Sequence, residues 1–186
     1  MRVIAGTARS LQLKTLEGTE TRPTLDRYKE TLFNVIQSHV PGSKFLDIFA
    51  GCGGIGIEAL SRGAERAVFI DNSKKAIQII KENLEHTGFS DKADVITADA
   101  ITGLMQLDRT GPYDVIFMDP PYNKDLEKQA IEYLSHSKLI SKNTLVIAEA
   151  SNDTDFSFVS ETGFMIIKIK EYKTNKHIFM MKDGGL

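Results

Sequence analysis

The chain has 186 residues, 41% hydrophobic and 26% charged, with a formal net charge of −2. That make-up suits one globular domain with a sizeable core and argues against a generic polyanion binder. A single cysteine, Cys52, rules out an internal disulfide framework or a cysteine metal cluster, and no apolar run nears the roughly 20 residues that span a bilayer.

Within the first 20 residues, RVIAG and LQLKTL read as a small hairpin, an appendage on a single domain spanning 1–186. TLDRYKETLFNVIQSH (24–39) sets Leu25, Tyr28, Leu32, Phe33 and Ile36 on one helical face, with Thr24 as N-cap. From residue 44 strands and helices alternate. KFLDIFA (44–50) is a first strand, IGIEALSRG (55–63) a helix stopped by Gly63, and RAVFID (66–71) a second strand. SKKAIQIIKENLEHTG (73–88) is a helix with Ser73 as N-cap and Gly88 beyond its end. ADVITAD (93–99) and YDVIFMD (113–119) are strands, LEKQAIEYLSHS (126–137) a helix, and TLVIAEA (144–150) a fifth strand. FMIIKIKEY (164–172) and KHIFMMK (176–182) are separated only by KTN, the spacing of a hairpin.

Unbroken Val/Ile/Leu/Phe runs mark strands covered on both faces, and strand–helix repetition with short connections makes a parallel sheet. The expected fold is therefore α/β: a doubly wound, Rossmann-like, mostly parallel sheet of seven strands, with an antiparallel C-terminal hairpin and an N-terminal hairpin-and-helix extension.

LDIFAGCGGIGIEAL places Gly51, Gly53 and Gly56 as G-x-G-x-x-G where a strand turns into a helix, a turn that also involves Phe49 and Ala50. Alone the pattern is common. Asp71, followed by Asn72, ends the second strand 20 residues after Gly51, where an acid can accept ribose hydroxyls. NAD and S-adenosylmethionine both bind in this way. Asp47, four residues before Gly51, favours the latter, because a buried carboxylate needs a partner and the methionine moiety carries an ammonium group. Asp99, before Ala100, is placed to accept an adenine amino group.

MDPPYN (118–123) ends the most apolar strand. Pro120 and Pro121 stop it and make a stiff corner between Asp119 and Tyr122. An exocyclic amine on a base is a poor nucleophile because its lone pair is delocalised into the ring. Holding its N–H groups with Asp119 Oδ and the Pro120 carbonyl aims that lone pair at a methyl carbon, while Tyr122 stacks on the ring. TRPTLDR carries Arg22, Thr24 and Arg27, which read either as helix-entry punctuation or as contacts to a cofactor or target phosphate. His39, His86, His136 and His177 form no cluster in the sequence, so no metal is expected.

These residues resemble those of class I S-adenosylmethionine-dependent methyltransferases that modify amines through [N/D]-P-P-[Y/F]. More narrowly, MRVIAG, TRPTLDRYKETLFN, LDIFAGCGGIGIEALSRGA and FMDPPY resemble the RsmD family over nearly the whole chain. That resemblance implies S-adenosylmethionine as cofactor, Asp119, Pro120 and Tyr122 as catalytic, and guanine N2 of 16S ribosomal RNA as target. It also implies an RNA-binding enzyme of rRNA processing, working on small-subunit rRNA, as an assembling ribosomal particle, with no membrane or metal partner. Thr7, Ser10 and Gln12 stand in the first hairpin where the family commonly has basic residues.

Net positive charge at both ends is consistent with such a partner: residues 1–30 hold six Lys/Arg against four Asp/Glu, and residues 168–182 five Lys against one Glu. The N-terminus lacks an apolar core of signal-peptide length, so the expected location is cytoplasmic. The rival readings are adenine-N6 methylation of DNA, which uses the same corner, and a cofactor-binding rRNA assembly factor with incidental catalysis.

Overall fold

A computed structural model describes residues 1–16, 23–121 and 124–184, with the backbone alone for 23–25. Its elements run α1 (Pro23–Val35), β1 (Lys44–Ile48), α2 (Gly54–Ser61), β2 (Arg66–Asp71), α3 (Lys74–Thr87), β3 (Ala93–Thr97), α4 (Ala100–Gln106), β4 (Val115–Met118), α5 (Leu126–His136), β5 (Leu145–Ser151), β6 (Phe164–Glu171) and β7 (Asn175–Lys182), with short 3-10 turns at 90–92 and 157–161.

The strands form one sheet in the order β3-β2-β1-β4-β5-β7-β6. β1 to β5 are parallel, and β7 enters antiparallel between β5 and β6. Strand order reverses at β1, where β2 lies on one side and β4 on the other. Such a point leaves a crevice at the carboxyl ends of the strands, because the connections on its two sides leave in opposite directions.

Both faces of the sheet are buried. On one side Phe45, Phe69, Phe117, Ile147 and Phe179 pack with residues of α1, α2 and α3. On the other, Leu46, Ile48, Ile70, Ile116 and Met118 pack with α4 and α5. Ser73 caps α3 by accepting from Ala76 N, and Gly88 closes it at φ 74, as the helix's sequence signals require.

The stretch after β3 contains a helix, α4, that the residues do not advertise: ITGLMQ has a β-branched pair and a glycine. Asp99 caps it by accepting from Thr102 N, and Gly103 is needed because a Cβ there would stand 2.7 Å from Ile70. The N-terminal segment pairs as a small hairpin: about the antiparallel bridge of Arg2 with Gln12, Val3 N donates to Leu11 O and Leu13 N to Met1 O, each at 3.0 Å.

That segment is held by an interaction invisible in the sequence. Glu58, on α2, is fully buried. Its carboxylate accepts from Ile4 N at 2.8 Å, Ala5 N at 3.0 Å and Arg62 Nε at 2.7 Å, and lies 3.1 Å from the buried Lys29 ammonium of α1. Lys29 in turn donates to Arg2 O at 2.6 Å. Four donors on one carboxylate offset the desolvation that makes an isolated buried charge so costly.

Glu58→Ala strands the Lys29 ammonium and two backbone N–H groups. It is expected to destabilise the protein by about 3–5 kcal/mol, read as a fall in the urea midpoint, and to raise amide exchange at Ile4 and Ala5 first. Unchanged stability and protection would show that the N-terminal segment is held by other contacts.

Candidate active site

The site begins where β1 ends. Phe49 adopts φ 64, and Gly51 and Gly53 follow at φ 57 and φ 78. A left-handed phenylalanine costs roughly 1–3 kcal/mol, so its surroundings must impose the conformation. Ala50 N donates to Ile70 O at 2.9 Å and Gly53 N to Ala50 O at 2.7 Å, which ties the turn to β2 and to itself. Nothing lies within 4 Å of where a Gly51 Cβ would stand, so this backbone is open to a ligand.

Two acids brace the turn from below and beside. Asp47, 2% exposed, accepts from Gly56 N at 2.9 Å, so the carboxylate of β1 holds the first turn of α2. Burial, opposed by that hydrogen bond and reinforced by Asp71, pushes its pKa up to about 7. Gly56 permits the close approach: a Cβ would stand 2.3 Å from the Phe69 ring. Asp71 accepts from Gly51 N and from Ser73 N, each at 2.8 Å, linking the glycine turn to the start of α3.

Above the turn lies a crevice of about 700 Å³. Phe49, Gly51, Asp71, Asn72, Asp99 and Ala100 line one part of it, and Asp119, Pro120 and Pro121 another. The glycine loop and the Asp-Pro-Pro corner, about 70 residues apart in sequence, therefore share one wall. Asp47, Ala50, Gly53 and Gly56 sit behind that wall, shaping the turn rather than facing the space. Asp99 spends one oxygen on Thr102 N, and hydrogen bonds from Thr102 hold its carboxyl below the usual range.

Asp119 is open to solvent on its crevice side, with protein packed around the remainder. That surrounding mass, then the Glu149 carboxylate, then Asp47, raises its pKa well above the ordinary aspartate value; water in the crevice tempers the shift without reversing it. A carboxylate of this kind can take a proton from a reacting group.

Arg22 and Tyr122 lie outside the described residues, as does the side chain of Thr24. Arg27 is exposed on α1 and is not part of the crevice lining. Lys124, Gln129, Ile101 and Leu16 do line it although no motif marks them. For Lys124 and Gln129 the available signal was proximity to the Asp-Pro-Pro corner. Ile101 could be placed only once α4 was known. Among the described residues no group of three His, Cys, Asp or Glu could hold a metal ion.

The chain is similar to known proteins over nearly its whole length. The family model described as "Conserved hypothetical protein 95" matches residues 1–181. "Ribosomal RNA small subunit methyltransferase D" of Haemophilus influenzae is 38% identical over 82% of this chain and 80% of its own. "Putative rRNA methyltransferase YlbH" of Bacillus subtilis is 37% identical over 92% of each. Among solved structures, "Putative methyltransferase yhhF from Escherichia coli" superimposes with a TM-score of 0.83 at 27% identity, covering 98% of this chain and 97% of that one. With the matched model spanning all but the last few residues and relatives of this name at such identity, the chain belongs to the RsmD family of ribosomal RNA methyltransferases.

Proposed function

We propose that the protein transfers a methyl group from S-adenosylmethionine to the exocyclic N2 of a guanine in small-subunit ribosomal RNA, within an assembling ribosomal particle. The observation that carries this reading is the shared crevice. Acids suited to an adenosine ligand and an acid–proline corner suited to an amine line one space at the point where β1 and β4 part.

The residues fit the cofactor by charge as well as by shape. Asp47 and Asp119 both have raised proton affinity, and in each case neighbouring carboxylates contribute. A cation relieves that repulsion, and the cofactor brings an ammonium and a sulfonium. Asp71 offers its remaining lone pairs to ribose hydroxyls, and Asp99 its second oxygen to the adenine amino group. Phe49, Asn72 and Ala100 shape the walls, and behind them Ala50, Gly53 and Gly56 hold the turn that brings the Gly51 backbone to the cofactor. When bound, the cofactor supplies an electrophilic methyl group on sulfur.

The chain's own residues prepare the acceptor. The target guanine leaves its stack, at a cost of a few kcal/mol. Asp119 Oδ and the Pro120 carbonyl accept its two N2–H groups and turn the lone pair out of the ring plane. Tyr122 stacks on the base, worth about 1–3 kcal/mol. Pro121 keeps the corner rigid, and Arg22, Thr24 and Arg27 contact the RNA. Such positioning lowers an effective barrier by about 7–11 kcal/mol when the reacting atoms are near 3–3.5 Å apart. As N2 gains the methyl group, one of its protons passes to the Asp119 carboxylate.

Asp119→Ala is expected to lower kcat about 10²–10⁴-fold while leaving affinity for S-adenosylhomocysteine within a few-fold. Labelled methyl transfer to small-subunit rRNA or particles, beside calorimetry, measures both. Wild-type turnover in this variant would reject the role given to Asp119.

The pKa of Asp47 sets a pH dependence for cofactor binding. Below about pH 7 this carboxyl is mostly protonated in the free protein, and attracting an ammonium from behind the wall of the turn requires it to ionise. Affinity should therefore rise with pH, approaching about tenfold per unit between roughly pH 5.5 and 7, a window in which the ligand's own amine stays charged. Asp47→Asn should bind more weakly at pH 7 and lose most of the slope. An unchanged slope in that variant would assign the titration to another group.

A further inference from the structure

Beside the target end of the crevice, one strand over from Asp119, stands a second carboxylate that the reaction above does not use. Met118 pairs with Ala148 at the last register position between β4 and β5, so Asp119 and Glu149 follow as neighbours on adjacent strands, about 4.8 Å apart in such sheets. Glu149 follows Ile147 by two along β5, and Asp119, one residue past the end of β4, follows Phe117 by two. Glu149 raises the proton affinity of Asp119 more than any other charged neighbour does, which fits that adjacency.

Glu149 is held firmly. Across the antiparallel pair it faces His177, whose Nε2 lies 3.0 Å from Oε2. Asn175 Nδ2 donates to Oε1. A carboxylate only accepts, so Nε2 carries the hydrogen, and in the neutral ring Nδ1 accepts from the Tyr172 hydroxyl at 3.1 Å. Tyr172 packs against Tyr28 of α1 with ring centroids 4.7 Å apart. His177 and Asn175 are 1% and 4% exposed.

This arrangement fixes the carboxylate but does not exhaust it. Two of about four lone-pair sites are filled, the side chain keeps 18% of its exposure, and the buried Asn175 Oδ1 has no hydrogen-bond partner. An immobilised acceptor with spare capacity beside Asp119 calls for a second donor next to the reacting amine. Three nucleobases carry an exocyclic amine. In adenine and cytosine the adjoining ring nitrogen is itself an acceptor and would face Glu149 lone pair to lone pair. In guanine it is N1–H, a donor.

We propose that Glu149 is the specificity-determining residue of the target pocket, accepting N1–H of guanine while Asp119 holds the neighbouring 2-amino group. The assignment rests on the guanine-N2 reading given above and explains why that base is chosen. His177, Asn175 and Tyr172 are positioning residues that keep the carboxylate aimed.

The test compares small-subunit RNA carrying guanine or 2-aminopurine at the methylated nucleotide. 2-Aminopurine keeps the 2-amino group but presents a bare N1. A site built around N1–H rejects the analogue by about 100-fold or more in kcat/KM. In Glu149→Gln, whose amide can donate to that bare nitrogen, the preference should shrink to within about tenfold. The inference is overturned if the wild-type protein methylates both substrates equally, a comparison that needs no variant to fold. It is also overturned if the variant methylates guanine and retains the wild-type ratio. Absence of any N2-methylguanine from the wild-type reaction would instead remove the functional reading itself.

Discussion

The hydrogen bond from Gly56 N to Asp47 is the constraint on which the site depends. It joins β1, the strand where sheet order reverses, to the first turn of α2, and so fixes the glycine turn between them. A buried carboxylate is an expensive brace, as its pKa near 7 shows. An apolar residue at this place would pack at lower cost, but it would leave Gly56 N without its acceptor and the crevice without an anion beneath it. The left-handed Phe49 tells the same story: backbone strain is tolerated where a ligand must come close to the chain.

Charge organises the rest. Along the carboxyl ends of the strands, Asp71, Asp119 and Glu149 stand within one rim, and Asp47 lies just below it. Burial first, and their mutual repulsion after it, raise the proton affinities of Asp47 and Asp119, and a cationic ligand relieves the repulsion. The acids are not equivalent. Asp71 and Asp99 are spent largely on backbone N–H groups, and Glu149 is pinned by two side chains. Asp119, facing open crevice, has no such tether among the described residues. The N-terminal segment joins this scheme through Glu58 and Lys29, which dock α1 against α2 and bring Tyr28 to Tyr172.

Much of this was legible in the residues. The alternation of apolar runs with capped helices identifies the parallel sheet, and the KTN turn identifies the antiparallel pair. Gly51, Asp71 and the Asp-Pro-Pro corner announce the crevice because turns and strand ends use residues with few structural alternatives. What was not legible depended on partners distant in sequence. α4 forms despite poor propensity because Asp99 caps it and Ile70 receives Gly103. Glu58 sits in IEALSR like any surface glutamate, and only folding supplies its four donors. Asp47 reads as a cofactor contact, yet its first partner is the loop backbone. His177 reads as surface or structural, and only the fold decides: it is structural, buried against Glu149.

On this reading the opening between β1 and β4 is built for a cationic adenosine ligand and not for a dinucleotide. Calorimetric titration of the purified protein with S-adenosylhomocysteine and, separately, with NAD tests it most directly. One-to-one uptake of the first and negligible heat from the second are expected. Tight binding of NAD, with no uptake of the homocysteine ligand, would contradict it.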